Sequence, residues 1–350
     1  MVQVRTISSL RPTVFNLWPR RYLALIFVLG LGVVEPVLNP PAADACFFWQ
    51  ACARRRGQAS NTRAGGKRTG RILGGNDASL PYVISPRNAW IQQPGPGQPY
   101  PIRWNAVDGV NSYTIRLWQW TYERDLPDLA LWETTVETAD PIPFPALILD
   151  PGTYYSIEVV TDTGVSSDLD AGYFASGFQL LFEEDYGVLR SQLATVVPVN
   201  PADSLSTGQR ASENEALARA GVFFLEEMYA DALAVLEPLA NSPTTSNLVY
   251  TALGDTYSNI GLNQLSIDAY DQALTLARAS DDLLSEAIIR VNLADVYATL
   301  GLFDDALRQL RQARSAYGQL SAETEVARLN RRINVISSRL DSPSEYSPAP

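Results

Sequence analysis

Residues 253–273, LGDTYSNIGLNQLSIDAYDQA, return forty residues later as residues 293–313, LADVYATLGLFDDALRQLRQA. Leu253-Gly254, Tyr257, Gly261, Ser266, Tyr270 and Ala273 line up with Leu293-Ala294, Tyr297, Gly301, Ala306, Leu310 and Ala313. Thirty-four residues upstream of the first copy, Ala220, Phe223, Ala232, Leu236 and Leu239 match more loosely. Self-similarity at such a period is the signature of stacked supersecondary units, and the apolar spacing within each copy is helical. Small residues at Ala220, Gly254 and Ala294 let paired helices approach, while Phe223, Tyr257 and Tyr297 fill the gap between them and Gly261 and Gly301 permit a tight turn. Each helix pair alone leaves an apolar face in water. Stacking three pairs covers it.

A further helix from about Ala322 to Leu340 carries Val326, Leu329, Ile333 and Ile336 on one side and many arginines on the other, and so closes the stack with a solvated face. The pattern over residues 211–340 resembles the tetratricopeptide repeat family, an all-α helical-repeat solenoid. Ser266 stands where that family has Ala, the first copy is degenerate, and the forty-residue period calls for longer helices or a longer connection between the second and third copies. The resemblance implies peptide or protein binding on a concave surface lined by the first helix of each pair. Carried over residue by residue, it marks Asn214, Leu217, Thr251, Asp255, Asn259, Val291, Asp295 and Thr299 as partner-binding positions, a mixed groove with an acidic centre. Family members that clamp a C-terminal carboxylate need Lys, Arg and Asn there. This array has no lysine and only Arg290 close by, so a neutral or basic peptide fits better. The alternative is an architectural spacer with no ligand in the groove.

From Tyr82 to about Phe182 the pattern changes to short alternating runs separated by Pro and Gly, which predicts an all-β sandwich. Tyr113, Ile115 and Leu117 point one way along a strand; Thr114, Arg116, Trp118, Trp120 and Tyr122 point the other. Leu149-Asp150-Pro151-Gly152-Thr153-Tyr154-Tyr155 leads into alternating Ile157 and Val159, with Tyr155 at a strand entrance where its hydroxyl can satisfy a nearby backbone group. Together with Ile102-Arg103-Trp104, the Ser112–Ile115 strand and a closing strand at Gly177–Leu181, this resembles a fibronectin type III domain and its tyrosine corner. Arg116, Trp118 and Trp120, at period-two spacing, form a candidate aromatic platform for a sugar ring or a peptide. Burial against the helical array or against the loop from Glu123 to Leu131 is the competing account of these rings.

Composition narrows the chemistry. The 350 residues contain no histidine, which removes Ser-His-Asp and Cys-His nucleophile systems, His-ligated metal sites and the commonest general base near neutral pH. No acidic run has the alternating ligand spacing of a calcium loop, and no carboxylate pair is placed for glycoside hydrolysis. Neither metal, cofactor nor enzymatic activity is expected. Of 27 basic and 38 acidic residues, eleven basic and two acidic ones lie in residues 1–75, so the body carries 16 against 36. Such a body repels nucleic acid.

The N-terminus reads as an export signal: basic residues ending in Arg20-Arg21, an apolar core from Tyr22 to Val34, and Ala43-Asp44-Ala45 before cleavage after Ala45. A core that short is uncomfortable as a membrane span, and no later run rivals it, so no transmembrane helix is expected in the mature chain. A periplasmic or secreted protein follows, the alternatives being anchorage through an uncleaved signal or a lipidated Cys46. Cys46 and Cys52 permit a small disulfide loop in an oxidising compartment. The expected plan is multidomain: a signal peptide over 1–45, a basic disordered linker over 46–80, an all-β fibronectin type III-like sandwich over 81–182 and a bridging helix and loop over 183–210. An all-α solenoid of tetratricopeptide-like repeats with its capping helix follows over 211–340, and a disordered tail over 341–350. The expected function is an exported non-enzymatic scaffold for a protein or peptide. The alternative is binding of carbohydrate or peptidoglycan, a cell-wall polysaccharide, through the aromatic face.

Overall fold

The computed structural model describes residues 74–94, 100–120, 129–171, 177–196, 208–240, 242 and 245–341. The expected signal segment, Cys46 and Cys52, the arginine-rich stretch up to Arg71, Tyr122, most of the Glu123–Leu131 loop and the C-terminal tail from residue 342 lie outside the described residues.

Among the described residues seven strands come first: β1 (Val83–Ser85), β2 (Ala89–Ile91), β3 (Arg103–Trp104), β4 (Tyr113–Gln119), β5 (Leu129–Val136), β6 (Tyr154–Thr161) and β7 (Gly177–Leu180). β1 and β3 form one antiparallel pair. The others form a five-stranded sheet in the order β2-β7-β6-β4-β5, antiparallel except where β2 runs parallel to β7. The alternation in the sequence explains why this sheet has an inside. On β4, Tyr113, Ile115 and Leu117 are buried, and Ile115 and Leu117 stand opposite Val159 and Ile157 of β6. Trp104 of β3 reaches the same core against Tyr113, ring centroids 5.8 Å apart. Tyr155 stacks on Phe178, and its hydroxyl accepts the Asp150 N–H at 2.8 Å, the strand-entrance contact expected of it.

Nine helices follow or interrupt the strands among the described residues: α1 (Asp168–Ala171), α2 (Glu183–Thr195), α3 (Gly208–Leu225), α4 (Tyr229–Ala240), α5 (Asn247–Asn259), α6 (Asn263–Ala279), α7 (Leu283–Thr299), α8 (Phe303–Gln319) and α9 (Glu323–Asp341). From α3 onward they make hairpins, α3 with α4, α5 with α6 and α7 with α8, closed by α9. The forty-residue period comes from helix length: α6, α7 and α8 each have 17 residues and are separated by three-residue turns.

Five turns of the array share one closure. Glu227, Gly261, Asp281, Gly301 and Ser321 take a positive φ, and the next amide in each case bonds the carbonyl five residues back: Met228 to Phe223, Leu262 to Tyr257, Asp282 to Ala277, Leu302 to Tyr297 and Ala322 to Tyr317. This left-handed cap satisfies carbonyls that a helix end would otherwise orphan. Only two of the five use glycine. At Gly301 a Cβ would meet nothing within 4 Å, so its substitution isolates the backbone cost. Gly301→Ala is expected to lower unfolding stability by about 1 kcal/mol, whereas Ser321→Gly, at φ 56°, raises it slightly. Urea titration of the full chain checks this, and equal signs for the two variants would refute it.

Gly254 has a different reason to be glycine, because a Cβ there would sit 2.6 Å from the Tyr270 ring. Ser266, in the place of the usual Ala, donates its hydroxyl to the Gly254 carbonyl at 2.7 Å, so the exception ties α6 to α5. On α9, Leu329, Ile333 and Ile336 are buried against the stack. Asn334 and Ser337 occupy the slots held by Gly254/Ala294 and Tyr257/Tyr297 in the repeats. Without the small and bulky pair, α9 lacks the seat that the repeats offer a following helix.

The sheet region and the first repeats share one continuous core, in which Val83, Ile91, Tyr100 and Ile102 join Met228, Leu233, Leu236, Ile260 and Leu262. Three hydrogen bonds across it go to the ends of α3 and α5. Trp90 N–H donates to the Glu227 carbonyl at 3.1 Å, Asn88 Nδ2 to the Asn259 carbonyl at 3.0 Å and Arg87 Nε to the Ile260 carbonyl at 2.9 Å. Helix C-termini present unpaired carbonyls and partial negative charge, which is what an arginine and two N–H donors are suited to cover. The end of the expected linker takes part too: Gly75 N–H bonds both oxygens of Asp170, at 2.8 and 3.0 Å, so the stretch from Gly74 to Leu80 belongs to the folded body rather than to a spacer.

Candidate partner-binding surface

The structure redistributes the eight groove positions. Leu217, Thr251, Asp255 and Val291 are buried, Asn259 and Asp295 are half-buried, and Asn214 and Thr299 are exposed. The four buried residues pack the array and do not line an open groove. Thr251 Oγ1 donates to the Asn247 carbonyl one turn back at 2.8 Å. Asp255, 3% exposed, accepts the Tyr270 hydroxyl at 2.5 Å and Asn292 Nδ2 at 3.2 Å. The expected acidic centre is thus consumed inside the fold, because those buried donors need an acceptor.

One helix pair further on, Asp295 accepts from Arg332 of α9. The two contacts span 37 residues each and repeat the same inter-helix step, from α5 to α7 and from α7 to α9. Asn292 and Arg332 were not singled out from the sequence, although their forty-residue offset was there to read. What remains outward is largely uncharged. Asn259 Nδ2 donates to the Asp255 carbonyl at 2.8 Å, Thr299 Oγ1 to the Asp295 carbonyl at 2.7 Å, and Asn214 lies open on α3.

Arg290, on α7 near the groove, is 4% exposed and donates to Glu286 at 2.6 Å, to Gln309 at 2.9 Å and to Gln312. Burial pushes the Glu286 carboxyl up, but hydrogen bonds from Arg290 and Arg278 outweigh it and hold it below the usual range. A guanidinium fixed between α7 and α8 in this way has no face left for a peptide carboxylate.

The aromatic face is a polar network around Glu158. Arg116 Nε donates to Glu133 at 2.6 Å and Nη1 to Glu158 at 3.5 Å, while Trp118 Nε1 and Ser166 Oγ donate to Glu158 at 3.0 and 2.9 Å. Burial, then Glu158, pushes the Asp168 carboxyl up to about 6. Trp120 lies past the end of β4, edge-on to Tyr154 with ring centroids 6.2 Å apart. Both indoles are half-buried. Among the described residues no group of three or more Cys, Asp or Glu is placed to hold a metal ion, and no helix is long and apolar enough to cross a membrane.

A tetratricopeptide repeat family model matches residues 245–319, the stretch that holds α5 to α8. No curated protein matches the chain. Among solved structures, BtubC (BKLC) from P. vanneervenii is similar at 18% identity, over 43% of this chain and 66% of that one, with a TM-score of 0.37. PcrH, solved in complex with the chaperone binding region of PopD, is similar at 17% identity, over 39% of this chain and 98% of that one, with a TM-score of 0.34.

Proposed function

We propose that the chain is an exported, non-enzymatic scaffold that holds a protein or peptide partner on the surface formed by α3, α5 and α7. The observation that carries this reading is the coincidence of the tetratricopeptide match at 245–319 with helix hairpins closed at Gly261 and Gly301. Stacked hairpins of this kind present a long surface without a catalytic cleft. The strand order, with β2 parallel to β7 and a further bridge between Ile102 and Ile142, supports a fibronectin type III-like sandwich for the preceding region. In this arrangement the sheet region is a brace on the turns after α3 and α5, which leaves the outward groups of the first helices to the partner. Export rests on the basic and apolar segment before Ala45.

With Asp255 internal and Asp295 shared with Arg332, the groove selects by hydrogen bonds from Asn214, Asn259 and Thr299 more than by ion pairs. A neutral or mildly basic extended peptide suits it. The test is selection of peptides from a random display library on the full chain, followed by titration against the double variant Asn214→Arg/Thr299→Arg. Both side chains are exposed, so the helical circular dichroism should be unchanged while affinity for the selected peptides falls at least tenfold. Equal affinity in a folded double variant would place the partner elsewhere.

A further inference from the structure

Helix α4 turns two carboxylates, six residues apart, toward the sheet region, and they meet different company. Glu237 receives Arg103 of β3 through both terminal guanidinium nitrogens, Nη2 at 2.9 Å, and the Tyr257 hydroxyl of α5 at 2.8 Å. Asp231, 6% exposed, receives the Tyr100 hydroxyl, 2.6 Å from Oδ1, and its own backbone N–H, while Oδ2 is buried without a hydrogen-bond partner. The seam around them is apolar, with Tyr100 1%, Leu233 1% and Ile91 0% exposed.

The titratable groups facing Asp231 are few. From the chain leading into β3 comes Tyr100; from α2 comes Tyr186, whose oxygen is already engaged by the Gln93 N–H at 2.9 Å and which is flanked by Glu183 and Arg190. Arg103, Glu237 and Tyr257 form a closed set further along the same helix. Among the described residues no cation is set against Asp231. A charge at Oδ2 would therefore be unshared in an apolar seam, whereas a proton there leaves only an unshared O–H, a far smaller cost.

We infer that the seam between the sheet region and the solenoid is a proton-linked latch, closed when Asp231 is a neutral acid bonded to Tyr100 and loosened when that acid ionises. Burial, opposed by the Tyr100 hydrogen bond and by the residue's own backbone N–H, pushes this carboxyl from 3.8 up to about 7. The closed state's affinity for the proton is raised, so its contribution is complete below about pH 4, is lost as pH rises through about 7 and changes little above that. Between pH 6 and pH 8 the closing equilibrium should fall about tenfold. Glu237, held by Arg103 and Tyr257, is the geometric contrast on the same helix.

The experiment is hydrogen exchange on the full chain, corrected for intrinsic rates, from pH 5.5 to 8.5. Protection of β2 and the N-terminal half of α4 should fall as pH rises and level off above about 7, while that of α7 and α8 holds. Asp231→Asn should remove this fall, and Tyr100→Phe should move the levelling-off to higher pH, since the lost hydrogen bond favoured the ionised form. The second variant decides the matter if the first does not fold. A fall that survives Asp231→Asn, a levelling-off that stays in place in Tyr100→Phe, or protection lost evenly over the whole array would overturn the latch.

Discussion

Replacing Arg87 by Ala should cost the protein about 3–5 kcal/mol and split its unfolding into two transitions. The guanidinium is 3% exposed and makes three kinds of contact: Nε donates to the Ile260 carbonyl at the end of α5, Nη1 to the Val83 carbonyl of β1 at 3.1 Å, and Nη2 lies 3.7 Å from Asp170 Oδ2. Burial pulls the arginine down to about 10 and pushes the Asp170 carboxyl up, in each case against the attraction of the partner. Desolvation therefore outweighs the pairing on both sides, and the pair is not a net source of stability relative to apolar residues. Its removal is costly for another reason. Asp170 would stay buried with only the Gly75 amide, and the Ile260 and Val83 carbonyls would lose a donor.

Because Arg87 joins a strand, a helix end and the Gly75 segment, its loss also uncouples the sheet region from the repeats, which predicts the second transition. Guanidinium titration followed separately by tryptophan fluorescence and helical circular dichroism should give midpoints that diverge. Of the seven tryptophans, the five from Trp90 to Trp132 lie in the sheet region and none lies in the repeats, so fluorescence follows the sheet side. Arg87→Met combined with Asp170→Asn, which removes both charges, should recover more than half of the loss. A drop below about 1 kcal/mol with coincident transitions would show that the seam is held by its apolar contacts alone.

The hairpins were legible because their determinants are local: a small residue and an aromatic three apart, then glycine four further on, fix a close approach and a turn within a dozen residues. The capping helix was legible for the same reason, an apolar stripe with a definite period. The seam was not. Arg87 and Ile260 are 173 residues apart, Tyr100 and Asp231 are 131, and nothing in the sequence distinguishes Asp231 from Glu237 as the acid that will lack a cation. The groove positions failed for a subtler reason. Asp255 and Asp295 hold the same slot in successive repeats, yet one is buried and the other half-buried. The difference lies one helix away, where Tyr270 of α6 offers a hydroxyl to Asp255 and Leu310 of α8, in the equivalent slot, offers Asp295 nothing. An aspartate with a buried donor turns inward; one without it turns toward Arg332.

That contrast sets the second large effect. Asp255→Ala would leave the Tyr270 hydroxyl and Asn292 Nδ2 buried without this acceptor, and each buried group so orphaned costs about 1–3 kcal/mol, so a loss of about 3 kcal/mol is expected. Asp295→Ala breaks an ion pair whose side chains are 43% and 27% exposed, and it should cost under about 1 kcal/mol. Urea unfolding of the two single variants measures both. Adding Tyr270→Phe to Asp255→Ala should return part of the loss, because removing donor and acceptor together leaves less unsatisfied than removing one. If Asp255→Ala and Asp295→Ala prove equally mild, the inter-repeat contacts add little to stability and the packing role given to Asp255 is overturned. If the large difference holds, an arginine at position 255 abolishes binding by collapsing the second repeat, and only substitutions at Asn214 and Thr299 report on the partner.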